Sequence, residues 1–249
     1  LALSAAFSMF SVTMELKDYD NLAFRNNLNT DYNAAPSLSR EHSYTLLNRH
    51  PHALNLNNEK GYQIEAAYYP GMDWQLLFNT SLTTTHDGLR IFEEYYGEVA
   101  HTWSDRLNGL VALGWNFDRT TRTENITPLF DIYYNLNERD QIYINFQHQH
   151  VINTLDKSEY DDELVVLEFS RSPILTLAMV AEYTNQNQLR NVRMDRNFWL
   201  YGNVTLSFWR NQQLSLLYGS RQAGFVCVGG ICRYEPEFKG LEIRLINRF

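Results

Sequence analysis

Three observations predict an all-β chain folded as a transmembrane antiparallel up-and-down β-barrel of about twelve strands. Apolar and polar residues alternate at period two through nearly the whole sequence, no apolar run approaches the roughly 20 residues of a membrane helix, and short connections alternate with longer ones. With 249 residues, 44% of them hydrophobic, 14% aromatic and 20% charged, a disordered chain is excluded. A net charge of -8 and the absence of any basic run exclude a nucleic-acid partner. The mean hydropathy of -0.41 resembles that of a soluble protein only because averaging erases the alternation.

In chain order the period-two pattern predicts strands at 5–18, 61–69, 72–84, 90–103, 109–118, 126–136, 141–153, 161–171, 174–184, 197–209, 213–222 and 240–249. Short, turn-rich connections fall at Pro70-Gly71, Ser104 to Asn108, Asn137 to Asp140, Arg171 to Pro173 and Arg210 to Gln212. Longer polar ones fall between them, at Asp20 to Gly61, His86 to Leu89, Arg119 to Asn125, Asn153 to Tyr160, Thr184 to Arg196 and Arg221 to Lys239. This gives one domain over 1–249, with a long external loop at 20–60 and another, carrying both cysteines, at 221–239. Leu1 is preceded by no cationic leader, so the chain reads as a mature protein or as the later part of a longer one, with further strands upstream left open.

The strands have separable faces. From Trp74 one face carries Trp74, Leu76, Phe78 and Leu82 against Gln75, Asn79, Ser81 and Thr83; near 141–152 it carries Ile142, Ile144 and Phe146 against Gln141, Asn145, Gln147 and Gln149. A soluble barrel or sandwich buries the apolar set, whereas a membrane barrel turns it to lipid. Strand number and length favour the membrane reading. So do aromatics placed like an interfacial girdle, namely Trp74, Trp103, Trp115, Tyr134 and Phe208. The last strand, with Leu241, Ile243, Leu245 and the terminal Phe249 on one face, has the form by which barrel-assembly machinery recognises outer-membrane strands. The expected partners are therefore outer-membrane lipids, that machinery and other envelope proteins.

Two segments carry a family likeness. Tyr44-Thr45-Leu46-Leu47-Asn48-Arg49-His50 is one; the other is Val226-Cys227, Gly229-Gly230 and Cys232-Arg233-Tyr234, continuing through Pro236-Glu237-Phe238, Gly240 and Glu242 to Arg248-Phe249. Together they resemble an uncharacterised family of predicted outer-membrane proteins from Bacteroidota and Chlorobiota. The resemblance implies the C-terminal part of a longer barrel in the bacterial outer membrane, and it carries no catalytic residues or cofactor.

Cys227 and Cys232 are the only cysteines. A turn at Gly229-Gly230 sets them opposite each other at a close-approach site, which favours a disulfide staple. Free thiols, or a metal or redox pair, are the alternatives. His148 and His150 share one strand face without an accompanying serine, so no nucleophile–base pair is read there. Arg49-His50-Pro51-His52, with His42 nearby, reads as a loop packing over or into the barrel mouth, with metal binding as the sharper alternative. Asp156, Glu159, Asp161, Asp162 and Glu163 read as a solvated acidic loop, since the calcium-loop ligand order is missing.

The predicted lumen face carries Glu15, Glu65, Glu94, Glu98, Asp131, Glu168, Glu182 and Glu242 against only Arg221, Arg244 and Arg248. A water-filled acidic lumen would favour cations. Side chains such as Tyr143, Trp199, Tyr201 and Trp209 would instead obstruct it. The expected function is an outer-membrane protein with a structural or docking role, or a subunit of a larger envelope assembly. The alternatives are a narrow cation-preferring channel and, third, a surface lipase or protease for which no triad is assembled. No catalytic residue, metal or cofactor is assigned.

Overall fold

The computed structural model describes residues 1–22, 39–186, 188–189, 192–193, 196–208, 212–228 and 231–247. Thirteen strands pair in one antiparallel meander, each bonded to its neighbours in sequence. They are β1 (Ala2–Ala6), β2 (Phe10–Asp20), β3 (Asn58–Tyr68), β4 (Trp74–Thr84), β5 (Arg90–Ser104), β6 (Leu107–Asp118), β7 (Thr123–Asn135), β8 (Asp140–Asn153), β9 (Glu159–Arg171) and β10 (Leu175–Thr184). After a small ladder of β11 (Gln188–Leu189) and β12 (Val192–Arg193), the sheet continues with β13 (Phe198–Phe208) and β14 (Gln212–Arg221). The hairpin of β15 (Gly224–Val228) and β16 (Ile231–Glu235) then leads to β17 (Phe238–Asn247). Among the described residues β1 and β17 are the two sheet edges and do not pair with each other, and there is no helix.

Each of the twelve predicted strands has a counterpart, and the sheet has one more. The single strand expected over 5–18 is a hairpin, β1 and β2, closed where the Phe7 N–H donates to the Phe10 carbonyl at 2.7 Å. Phe7-Ser8-Met9 contains no Gly, Pro or Asn, so the turn leaves no compositional trace and the alternation runs on through it. The 221–239 connection likewise contains a ladder of its own.

The two faces differ as the alternation demands. Phe78 is 49% exposed while its neighbour Asn79 is 0% exposed. The same inversion recurs where Val111 and Leu113 are exposed beside buried Ala112, and where Leu241, Ile243 and Leu245 are all exposed. Polar residues meanwhile fill the interior: Ser81, Thr83, Asn116, Asn125, Thr127, Asn145, Gln147 and Gln149 are buried. A register row runs through Glu15, Gln63, Ser81, Glu94, Asn116 and Asn125, so one wall of polar side chains crosses six strands. Exposed Trp74, Trp103, Tyr134 and Phe208 lie at the strand ends nearest the short turns. Half-buried Trp115 lies toward the other end, its indole donating to Glu124 Oε1 at 2.9 Å. Phe249 of the proposed assembly signal, with Trp209 and Arg248, lies outside the described residues.

Gly219 allows the β13–β14 pairing to come close. Its φ is +135°, and a Cβ there would stand 2.3 Å from the Leu200 carbonyl oxygen and 2.6 Å from Tyr201 Cα. Gly219→Ala is expected to cost about 1–3 kcal/mol. A lower denaturant midpoint checks this; an unchanged midpoint would contradict it.

Candidate functional site

The interior face gathers the acidic residues. Glu65 stands on β3, Glu94 and Glu98 on β5, Asp131 on β7 and Glu182 on β10, with Glu94, Asp131 and Glu182 buried. Glu15, Glu168 and Glu242 share this face but are only half-buried. Glu15 pairs locally with Lys17 at 2.8 Å and Glu242 with Arg244 at 2.7 Å. Two further buried carboxylates, Glu59 and Asp118, belong to the set and were not singled out from the sequence.

Their partners come from the β2–β3 connection. From Arg40 to His52 it lies against the interior face, so the connection expected as an external loop is internal over this stretch, while Leu56 and Asn57 pair with Leu22 and Asn21 beyond the strand ends. Arg40 forms an ion pair with Glu65, its guanidinium carbon 5.1 Å from the centre of the Tyr96 ring. His42 Nε2 lies 2.5 Å from Glu94 Oε1, and the Tyr44 hydroxyl donates to Asp131 Oδ2 at 2.7 Å. Asp131 Oδ1 also accepts from Tyr143 and Asn145, so this carboxylate is satisfied by both wall and segment. The spacing 40, 42, 44 is that of an extended chain presenting alternate side chains to one wall.

At Tyr44 the segment turns. Asn48 N–H reaches the Tyr44 carbonyl at 3.2 Å, while the Asn48 side chain donates to the His42 carbonyl at 2.5 Å and accepts from the His42 N–H at 3.3 Å. An amide side chain thus replaces the missing strand partner. The backbone of Leu46 is held in the same way by the wall: its N–H donates to Gln147 Oε1 and its carbonyl accepts from Gln149 Nε2, both at 2.8 Å.

Leu46 and Leu47 then diverge. Leu46 packs on Leu164 and Val180 of β9 and β10, and Leu47 on Tyr96, Ala112 and Leu129 of β5 to β7. Two consecutive leucines thereby brace opposite sides of the interior, each contributing about 1.5–3 kcal/mol by burial. Gly114 makes the room, since a Cβ there would lie 2.4 Å from Leu47 Cδ2.

Arg49 donates to Glu182 Oε2 at 2.7 Å and to Gln222 Oε1 at 2.6 Å, joining the segment to β10 and to the chain entering β15. On the far side of that hairpin, Trp199 Nε1 donates to Glu237 Oε1 at 2.8 Å. Pro51 separates two imidazoles with different partners. His50 Nε2 lies 3.4 Å from the Tyr160 hydroxyl. His52 is clamped between Asp118 (Nδ1 to Oδ2, 2.8 Å) and Glu59 (Nε2 to Oε1, 3.3 Å), stacked on Phe92. The histidines therefore diverge, and among the described residues no group of His, Cys, Asp and Glu is arranged to hold a metal ion.

Electrostatics distinguishes the two imidazoles. Burial is the largest influence on His52 and lowers its pKa, but hydrogen bonds and charge from Asp118 and Glu59 outweigh burial and hold it up at about 9. Burial, assisted by the Arg49 charge and only partly opposed by Asp118, holds His50 down at about 4. Burial and the bond to Asp131 push the Tyr44 phenol up, so it stays a neutral donor.

The other sequence-predicted groups lie elsewhere. The acidic run expected as a solvated loop is in part the start of β9, where period two splits it: Asp162 is buried inward, whereas Asp161 faces outward and accepts from His150 Nδ1 at 2.7 Å. His148 Nε2 is 3.7 Å from the same Asp161 carboxylate. Backbone register sets Cys227 opposite Cys232 and Val228 opposite Ile231, the expected pairing, although the side chains of the two cysteines lie outside the described residues. The excess of interior acids over interior bases was the signal for the segment's role. Arg40, Arg49 and His52 of the segment supply the counter-charges that the strands lack.

Two outcomes are expected. Gly114→Val should expel Leu47 and release residues 44–49, at a cost of about 1–3 kcal/mol; limited proteolysis after Arg49, resisted by the native protein, should then become fast. With pH, His52 contributes fully below its free value near 6.5 and loses its contribution as pH rises toward about 9. His50 works oppositely, favouring the seated segment above 6.5 and opposing it as pH falls toward about 4. Anchoring should therefore peak near pH 6.5. His52→Gln should remove the alkaline limb of the proteolysis profile, and an alkaline limb that persists would contradict the assignment.

No curated protein matches the chain. The model of a family of unknown function, DUF6029, matches residues 1–249, and the chain belongs to that family.

Proposed function

We propose that this chain is an outer-membrane β-barrel protein with a structural or docking role, one component of a bacterial envelope assembly, whose interior is occupied by its own segment 40–52. The observation that carries this reading is the seating of that segment: wall carboxylates at Glu65, Glu94, Asp118, Asp131 and Glu182 are all engaged by it. The apolar outer face supports the membrane location, because an exposed apolar surface of this extent on a monomer marks contact with lipid or protein. The likeness to predicted outer-membrane proteins of Bacteroidota and Chlorobiota supports it independently.

Assembly machinery would engage β17 through Leu241, Ile243 and Leu245, with the aromatic terminus Phe249 as the further part of the expected signal. In an oxidising envelope Cys227 and Cys232 would close a disulfide across the β15–β16 hairpin. The acidic interior, including half-buried Glu168, favours a cation-preferring channel as the second reading. Against it, Arg40, Arg49 and His52 already pair with Glu65, Glu182, Glu59 and Asp118 of that wall, and Leu46 and Leu47 brace it.

The test is conductance. Protein folded in detergent, recognised by heat-modifiable gel mobility, should insert into planar bilayers without ohmic steps. Cation-selective steps from the native chain would support the channel, and a detergent-free soluble monomer would overturn the membrane location.

A further inference from the structure

Segment 40–52 meets the interior wall as a ligand meets a groove. Its alternate residues Arg40, His42 and Tyr44 each find a carboxylate, on β3, β5 and β7 in turn. Gln147 and Gln149 read its backbone at Leu46, independently of the side chain there. Arg49 and His52 add two more carboxylate contacts. The two leucines and Tyr44 supply its packing in the apolar clusters, and the rings of His42 and His52 lie against Tyr96 and Phe92. A wall with this arrangement selects a basic peptide that enters extended and then turns.

The fit is also incomplete. Among the described residues His42 Nδ1, Glu94 Oε2, Arg49 Nε and Glu59 Oε2 are buried and make no hydrogen bond. Buried polar groups left unmade weaken a complex, and a carboxylate offering two oxygens to one imidazole nitrogen is better matched by the forked guanidinium of arginine. The tethered segment holds its place partly through the millimolar effective concentration that tethering supplies.

We infer that the interior wall is a docking groove for a basic, extended peptide segment of a partner protein, and that residues 39–52 are its intramolecular occupant, displaced when the partner docks. The inference deepens the docking role proposed above and rests on it. Charge complementarity selects the partner: two basic residues spaced two apart facing Glu65 and Glu94, and an arginine beyond the turn facing Glu182. Acidic peptides are repelled by the same wall.

The test uses the whole folded chain in detergent and is thus independent of membrane location and conductance. The probe is a fluorescent peptide of residues 39–53. The double variant Arg49→Ala/His52→Ala, in which the tethered copy is weakened, should bind it saturably and at least tenfold more tightly than the native chain. Adding Glu94→Gln and Glu182→Gln should lower that affinity at least tenfold. A peptide with Arg40, His42, Arg49 and His52 changed to Glu should not bind, and one carrying His42→Arg should bind more tightly than the native peptide. Should the double variant lose its folded gel mobility, Leu47→Ala serves in its place with the same expectation. The absence of saturable binding to a folded variant, or equal binding of the native and charge-reversed peptides, would overturn the inference.

Discussion

Carboxylates enclosed on a polar sheet face must be matched, because a buried charge without a partner costs several kcal/mol while a matched one is close to neutral. That constraint governs the interior of this protein. Glu94, Asp118 and Glu182 are buried there, and the strands themselves supply few cations near them. Arg49 and the imidazoles of His42 and His52 answer from a connection that leaves the sheet after β2 and rejoins it at β3. Two leucines then anchor the connection on opposite walls. Sheet and segment are thus complementary halves of one polar core.

The inversion of faces follows from the same division. Polar side chains need partners or water, and the interior supplies partners: Asn125 donates to Asn116, Gln147 to Asn145 and Gln149 to Thr127. Apolar side chains such as Phe78, Leu113 and Ile243 gain nothing there and face outward, where they form the surface that a lipid phase would cover. Between Arg40 and His52 the hydrogen bonds described above join the segment to the sheet through side chains and through the backbone of Leu46, outside the ladder that holds the meander together.

Much of the fold was legible because period two is a strong signal when strands are ten or more residues long. Alternation located every strand of the main sheet from β3 onward and separated Phe78 from Asn79 onto opposite faces, but it left the short ladders β11–β12 and β15–β16 inside connections and read Asp161 and Asp162 together as a solvated loop. It failed at Phe7-Ser8-Met9, where a turn made of strand-forming residues leaves the alternation unbroken. The interior acids were also legible, since a face assignment is enough to collect Glu65, Glu94, Asp131 and Glu182. Their partners were not. Arg40, His42 and Arg49 lie in a connection far in sequence from the strands they meet, and pairing across such a separation has no local signature. Asn48, whose side chain closes the turn at Tyr44, reads in sequence as an ordinary loop asparagine.

The central claim is that residues 40–52 occupy the interior of the sheet. Amide hydrogen exchange of the folded chain measures this most directly, because the Leu46 N–H donates to Gln147 within the wall. The account predicts that the Leu46 amide exchanges at least 100-fold more slowly than the same amide in the free 39–53 peptide, and that Gln147→Ala abolishes the protection. Exchange of Leu46 in the intact protein at the rate of the free peptide would contradict it.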